Sequence, residues 1–380
     1  QCQWQVLENN GQCTVVWNLA PAEELGVSLP MPRNGRITMR IDTALPRLLC
    51  GVAVWRGPRA KVVGLVKRLR DELGPSQEFD QFTKGGPPLW GKPLLTRGRL
   101  GLTSGPYEVE TITVPEENPW NSWIRCSGFD FFKDGATAAM CSVSGDVWVV
   151  SGIDDELKEL KWRRFATGLY EPLGLKVVDG IIYLTCRDRL VRLHDLNHDG
   201  EADFYENFYA DQDVSSGYHA YHFDLDTDRG GNFYYAKTGR FTDFALPGAL
   251  IKVSPYGKQG EVFCTGFRVP NGLGIGPDDA IYVSDNQGEW VPASKISLVR
   301  KGGFYGVSKA SAVPPTTFDK PILWMPQELD NSRGGQLWVD DPRWGPLTGR
   351  LLHTSFGKGR LYSVMIQEVD RTYQLSLIHI

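Results

Sequence analysis

The sequence predicts an all-β chain whose larger part is a β-propeller. Three observations carry that expectation. Residues 266–306 read as one blade: the Pro270-Asn271-Gly272 bend is followed by strand, turn, strand and a closing Lys301-Gly302-Gly303. The frame TG-x-x-x-P-x-G-L occurs twice, as Thr167 to Leu175 and as Thr265 to Leu273. That offset equals about two units of roughly 50 residues, the size of a four-stranded blade. Further openings at Gly128-Phe129-Asp130-Phe131, Tyr221-His222-Phe223-Asp224 and Gly335-Gln336-Leu337-Trp338 keep the rhythm.

Composition supports this class. The 380 residues include 42 Gly, 24 Pro, 12 Trp and 14 Tyr, a loop-rich and aromatic balance. Net charge is −4, which gives no reason to expect a nucleic acid or an anionic membrane surface as partner. No apolar run is long enough for a membrane-spanning helix. The seven cysteines form no CxxC, so zinc spacings and c-type haem attachment are absent, and buried free thiols are expected.

Taken in order, residues 1–75 carry alternating runs at 13–18, 36–41 and 49–55, expected as strands of a β-sandwich-like domain of which this is a remnant. One helix is expected at 60–73. Residues 76–121, with Gly-Gly-Pro-Pro and Glu-Asn-Pro-Trp, read as a linker wrapping onto the propeller. Residues 122–370 read as four to five blades of an incomplete, six-bladed propeller. Both ends read as cut: Gln1 falls inside a strand pattern, and residues 375–380 break the preceding pattern and read as a non-native tail, set aside from fold reasoning.

Three stretches could carry chemistry. Asp195-Leu196-Asn197-His198-Asp199-Gly200, continuing to Asp203 and Glu206, satisfies the spacing of a calcium loop. Its flanks read as strands, so the expected site is a hairpin loop with Asp195, Asn197, Asp199 and Asp203 as ligands and Glu206 dispensable. The plain alternative is a solvated Asn/Asp/Gly hairpin. The second stretch holds His219 and His222, three apart and so expected on opposite faces of one strand, one of them a possible general base. Packing within the sheet is the alternative. The third places Arg268 and Asn271 at an inner corner, where they could hold an anionic cofactor or a metal, or cap loop carbonyls. His194 and His198 flank the acidic loop, His353 sits in a strand and His379 in the tail.

Residues 266–306 resemble the soluble quinoprotein glucose dehydrogenase and sorbosone dehydrogenase superfamily. Arg268, Pro270, Gly272, Leu273, Ser284, Gly288, Ile296, Gly302, Gly303, Tyr305 and Gly306 match its pattern. Val269 and Glu289 stand where the pattern has Asn and Pro. Counting back from Gly231-Asn232-Phe233-Tyr234-Tyr235, and allowing one inserted residue, places His219 at that superfamily's catalytic base. Over residues 75–370 the wording PWNSW, GFDFF, SGDVWVVSG, RLHDLNHDGEADFYENF and LDNSRGGQLWV is similar to a bacterial family of membrane-bound dehydrogenases, in which a β-domain precedes the propeller.

The resemblance implies a sugar or polyol dehydrogenase, periplasmic or secreted, with pyrroloquinoline quinone (PQQ) and Ca2+ as cofactors. It implies His219 and Arg268 as catalytic residues and Arg268, Asn271 and Gly288 as cofactor contacts. A c-type cytochrome domain or another electron acceptor is the implied partner. Pro270-Asn271-Gly272-Leu273 with Asp285 also fits gluconolactonase-like calcium hydrolases, and a non-catalytic binding propeller is a third reading.

Overall fold

The computed structural model describes residues 83–369 except 103–106, 241, 288–292 and 308–314, and beyond that span residues 3–9, 12–18, 26–28, 40–42, 50–56, 61, 64, 67, 68 and 372–379. The chain divides into two compact units, Gln1–Phe79 and Asp80–Ile380.

In the first unit β1 (Gln3–Asn9), β2 (Gln12–Asn18) and β5 (Cys50–Arg56) make an antiparallel sheet in the order β1-β2-β5, and β3 (Gly26–Ser28) pairs with β4 (Arg40–Asp42). Asn9 pairs with Gln12, and the two residues between them are Asn-Gly, the dipeptide that two-residue hairpins favour. The helix expected at 60–73 falls largely outside the described residues.

Among the described residues the second unit is a propeller of five blades, each an antiparallel sheet whose four main strands follow chain order. Blade 1 contains β7 (Cys126–Phe131), β8 (Thr137–Ser142), β9 (Val147–Ser151) and β10 (Leu160–Ala166). A short strand, β6 (Leu94–Thr96), pairs along the outer edge of β10. Blade 2 is β11 (Gly174–Val178), β12 (Ile181–Thr185), β13 (Arg189–His194) and β14 (Phe204–Ala210). Blade 3 is β15 (His222–Thr227), β16 (Phe233–Lys237), β17 (Leu250–Val253) and β18 (Gly260–Cys264). Blade 4 is β19 (Gly272–Ile275), β20 (Ile281–Asp285), β21 (Ala293–Val299) and β22 (Leu323–Pro326). Blade 5 is β23 (Arg333–Val339), β24 (Arg350–Ser355), β25 (Arg360–Val369) and β26 (Thr372–His379). Residues 375–379, set aside in the sequence reading, thus continue the outer strand of blade 5.

A single four-stranded sheet has two faces and cannot bury both alone, so each buries them against its neighbours. The core accordingly lies between blades. Ala139, Cys141 and Val147 of blade 1 meet Leu175, Ile182 and Leu184 of blade 2. Tyr183 and Phe208 of blade 2 meet Phe233 and Ile251 of blade 3. Tyr234 and Ala236 meet Ile281 and Val283, and Tyr282 and Ile296 meet Leu351 and Val364. The other face of blade 1 packs differently: Trp148, Val150 and Trp162 are covered by Leu94, Ile112, Val114 and Trp120. Tyr107, from the same segment, packs against Val339 and Leu352 of blade 5. Leu94, Tyr107, Ile112, Val114, Trp120 and Ile124 are therefore part of the propeller wall.

The recurring Gly-Leu of the repeat frame has a steric cause. Inner strands converge on the axis, so a Cβ on Gly174 would strike the backbone of Asp224 and Leu225 on the next inner strand, and one on Gly272 would strike the carbonyl of Gly334. Three carboxylates span this gap to backbone amides. Asp130 accepts from Val177 N at 2.9 Å, Asp224 from Leu273 N at 2.9 Å and Asp226 from Ile275 N at 3.2 Å. Each carboxylate satisfies an amide that no strand pairs, because inner strands of adjacent blades do not hydrogen-bond as a sheet.

Candidate functional site

Inner strands begin, and second strands end, at one end of the propeller, as the pairs Gly174↔Thr185, His222↔Lys237, Gly272↔Ser284 and Arg333↔Ser355 show. Buried polar side chains gather there: Thr185, Arg187, His222, Lys237, Asp285 and Arg333. Burying so many polar groups is costly unless each is paired, which makes this end the place to look for chemistry.

His219 lies here, but in a turn ahead of β15 rather than on the strand, and is partly buried. Hydrogen bonds from Ala220 N to Gly217 O and from Tyr221 N to His219 O curl the backbone before the strand starts. The sequence argument that His219 and His222 share one strand is corrected accordingly. His222, the first residue of β15, is 1% exposed; its Nδ1 lies 3.0 Å from the Cys186 carbonyl of blade 2. Burial and the nearby Lys237 ammonium push its pKa down to about 4. It packs between blades.

Arg268 sits in the corner before β19. Asp285, at the end of β20, fixes that corner by accepting from Arg268 N and Val269 N, and its carboxylate also lies 3.4 Å from Lys295 Nζ. The carbonyl of Arg268 accepts from Gly239 N at 2.8 Å, while the adjacent Thr238 N donates to Tyr221 O at 3.1 Å. The segments carrying His219 and Arg268 therefore meet at one node, Thr238-Gly239, at the same end of the propeller. Asp285 is buried and its carboxylate is spent mainly on holding this corner. Val269 is buried, and Gly288 lies outside the described residues.

Below this end an axial cavity of about 710 Å³ is lined by Arg125, Asp224, Asn271, Arg333 and Gln336 among others. The amide of Asn271 donates to the Arg333 carbonyl, while its oxygen is buried without a partner, as are both amide atoms of Gln336. Asp224 stands at a bulge of β15 with a left-handed φ of 60°; burial raises its carboxyl to about 6. Arg333 is fully enclosed, 2.8 Å from Asp330, whose other partner is His353 Nε2 at 3.0 Å. The orphaned amide atoms of Asn271 and Gln336 are free to bond a carbonyl-bearing ligand such as a quinone, while Arg333 is already paired with Asp330.

The acidic loop is a strand–loop–strand hairpin between β13 and β14. Asp199 N donates to Asp195 Oδ1 (3.2 Å) and Asn197 Oδ1 (3.1 Å), and Gly200 N to Asp195 Oδ2 (2.9 Å), so these side-chain oxygens cap amides of the loop itself. Asp203 instead accepts from Gly86 N and Leu196 N, both at 2.8 Å. Glu206 lies on β14, bonded by Arg192 (2.7 Å) and His194 (2.6 Å), and does not face the loop. Among the described residues no group of three or more His, Cys, Asp and Glu side chains is arranged to hold a metal ion.

The fold places the chain among known propellers. A soluble aldose sugar dehydrogenase from Escherichia coli is similar over 67% of this chain and 86% of its own, at 12% identity and a TM-score of 0.51. The PQQ-bound aldose sugar dehydrogenase from Streptomyces coelicolor is similar over 67% and 82%, at 13% identity and a TM-score of 0.50. A gluconolactonase from Xanthomonas campestris is more distant, with 18% identity and a TM-score of 0.44. At these identities the likeness speaks for the fold. No family model and no curated sequence matches the chain.

Sequence reasoning missed Arg187, Asp224, Lys237 and Arg333. Asp224 had a signal: it is the Asp of the blade openings Phe129-Asp130 and Phe223-Asp224. The others sit at strand ends with no local motif, and gain meaning only when several blades converge.

Proposed function

We propose that the chain is a quinoprotein-type sugar or polyol dehydrogenase working at the end of the propeller where the inner strands begin. The observation that carries this reading is the Thr238-Gly239 node, which ties the His219 turn and the Arg268 corner together at that end; neither His219 nor Arg268 lines the axial cavity, which Asn271 and Arg333 reach. The PQQ-bound state of a protein with this fold supports it. His219 takes the proton of the substrate hydroxyl, and imidazole is suited to that task near neutral pH. Arg268 and Asn271 would hold the quinone, with Arg333 and Gln336 deeper in the cavity. When bound, the quinone supplies the two-electron acceptor for the substrate hydride. Electrons pass on to a c-type cytochrome domain or another acceptor, and such a protein works in the periplasm or outside the cell. Among the described residues no helix is long and apolar enough to cross a membrane. Ca2+ is assigned to the hairpin through Asp195, Asn197 and Asp199, with Asp203 joining only by releasing an amide.

The test is reconstitution with PQQ and Ca2+, a panel of aldoses and polyols, and a dye acceptor. Dye reduction is expected with at least one sugar, falling on the order of 100-fold or more in His219→Ala. No reduction across the panel refutes the reading, and lactone hydrolysis without quinone would replace it with the hydrolase.

A further inference from the structure

The turn that carries His219 is gripped by one buried side chain. Arg187 lies two residues beyond β12 and is 7% exposed. Its Nε donates to the Ala220 carbonyl at 3.0 Å, one terminal nitrogen donates to the Gly217 carbonyl, and the other donates to the Glu171 carboxylate at 3.0 Å. The guanidinium also lies 5.4 Å from the ring centre of Tyr170 and 5.7 Å from that of Tyr221. Its own backbone amide donates to the Tyr170 carbonyl at 3.0 Å. One planar group thus binds both ends of a four-residue turn and ties it to the corner that opens blade 2. Within the turn, the Tyr218 ring stands edge-on to His219 at 4.3 Å.

We propose that Arg187 is a positioning residue for His219, fixing where its imidazole stands relative to a bound substrate. The proposal rests on the reading of His219 as the base. Its physical case is geometric. The two carbonyls and the carboxylate lie in three directions, which a guanidinium fork reaches simultaneously and an ammonium does not. A buried cation is costly, and an apolar side chain could fill the space between Tyr170 and Tyr221 as well. The guanidinium adds fixed donors on the two carbonyls that bracket His219. Proton transfer is sensitive to such placement, a 1 Å error costing about 100-fold in rate.

The test is a double-mutant cycle in the reconstituted protein, with hydrogen exchange of the free protein as a second readout. Arg187→Lys is expected to lower kcat about 10- to 100-fold with KM within about twofold. Arg187→Ala should recover part of its activity on addition of guanidinium. In the His219→Ala background, Arg187→Lys should cost nothing further, because its effect passes through His219. Amides of residues 217–221 should exchange faster in Arg187→Lys while those of β16 and β20 do not. Additive losses in the cycle overturn the proposal, and so does unchanged exchange in the turn whether or not any sugar is oxidised. Full activity in His219→Ala removes the base assignment instead, a result separable from failure of the grip.

Discussion

The outer hairpin of blade 2 and the axial ends of blades 3 to 5 both concentrate charge, yet they handle it in opposite ways. In the hairpin the half-buried carboxylates of Asp195, Asp199 and Asp203, and the buried one of Glu201, accept backbone amides. Asp203 takes Gly86 N, and Glu201 takes Leu89 N (2.5 Å) and Trp90 N (3.0 Å), so the acidic loop fastens the segment that precedes the first blade. At the axial end the charges are enclosed and answer one another across strands. Lys237, with no exposed surface, lies 3.1 Å from Asp211 and 2.8 Å from Asp213, while Asp211 also accepts from Tyr235 Oη at 2.6 Å. Partly exposed acids can be neutralised by water and ions, whereas enclosed ones depend on their partners alone. The two regions should therefore respond very differently to loss of a single charge.

The strongest test of that difference is Lys237→Met. It leaves Asp211 and Asp213 without their cation, and the expected loss is about 3–5 kcal/mol in urea unfolding at neutral pH. Adding Asp211→Asn to the same chain should restore part of it. A loss under about 1 kcal/mol for Lys237→Met would mean that the axial charges are as well solvated as the hairpin's.

A titration sharpens the contrast next. His222 has a folded-state pKa of about 4 against an ordinary value of 6.5, so its contribution is present above pH 6.5 and is lost as pH falls through 4. That shift corresponds to roughly 3 kcal/mol. Asp224 works in the opposite sense. Its pKa is raised to about 6 from 3.8, so its burial costs least when it is protonated, and stability declines as pH rises from about 3.8 through 6. The two partly cancel in the parent chain. Asp224→Asn should steepen the loss of stability between pH 6.5 and 4, and His222→Phe should flatten it. Chemical denaturation across that range measures both, and parallel curves for all three proteins would contradict the assignment.

Smaller still is the effect of the axial glycines. Gly174→Ala places a methyl group against the backbone of Asp224 and Leu225, which must move to admit it, at an expected cost of about 1–3 kcal/mol. Gly180→Ala, at a turn with open space but φ of +78°, isolates the backbone contribution and should cost about 1 kcal/mol.

This contrast also explains what could be read from sequence. The hairpin was legible because its residues are contiguous and their spacing is itself the motif. The propeller was legible because Gly174-Leu175 and Gly272-Leu273 repeat under one steric constraint at the axis. The axial end was largely not. Arg187, Lys237 and Arg333 come from three blades; the partners of Arg187 and Lys237 lie 16 or more residues away, and only Arg333 has its partner, Asp330, close in sequence. His219 was placed by counting from Gly231, which located its blade but not its conformation. Alternation along 217–223 reads as strand, while the Arg187 grip and the hydrogen bonds inside the turn hold the first four residues out of the sheet.

The smallest expected effect belongs to the hairpin, where it decides between an ion site and a mere fastener. Without added cation, Asp199→Ala removes acceptors for Glu201 N (3.0 Å, partly buried) and the exposed Asn197 amide (3.0 Å), and should cost about 1 kcal/mol. With Ca2+ the two proteins should part. Asp195, Asn197 and Asp199 supply three side-chain oxygens of the six to eight that Ca2+ takes, so backbone carbonyls and water must complete the shell, and affinity should lie near the weak, extracellular end of roughly 10⁻⁴–10⁻³ M. At about ten times such a dissociation constant, binding stabilises the folded chain by about 1.4 kcal/mol. The parent chain should therefore gain a measurable rise in Tm in millimolar Ca2+ and evolve heat in calorimetric titration, and Asp199→Ala should do neither. Equal and negligible heats from both proteins would take calcium out of this loop. The carboxylates would then serve the loop's own amides and the segment at Gly86–Trp90 alone, and the distinction between a half-buried acidic rim and an internally paired axial end would stand without any ion.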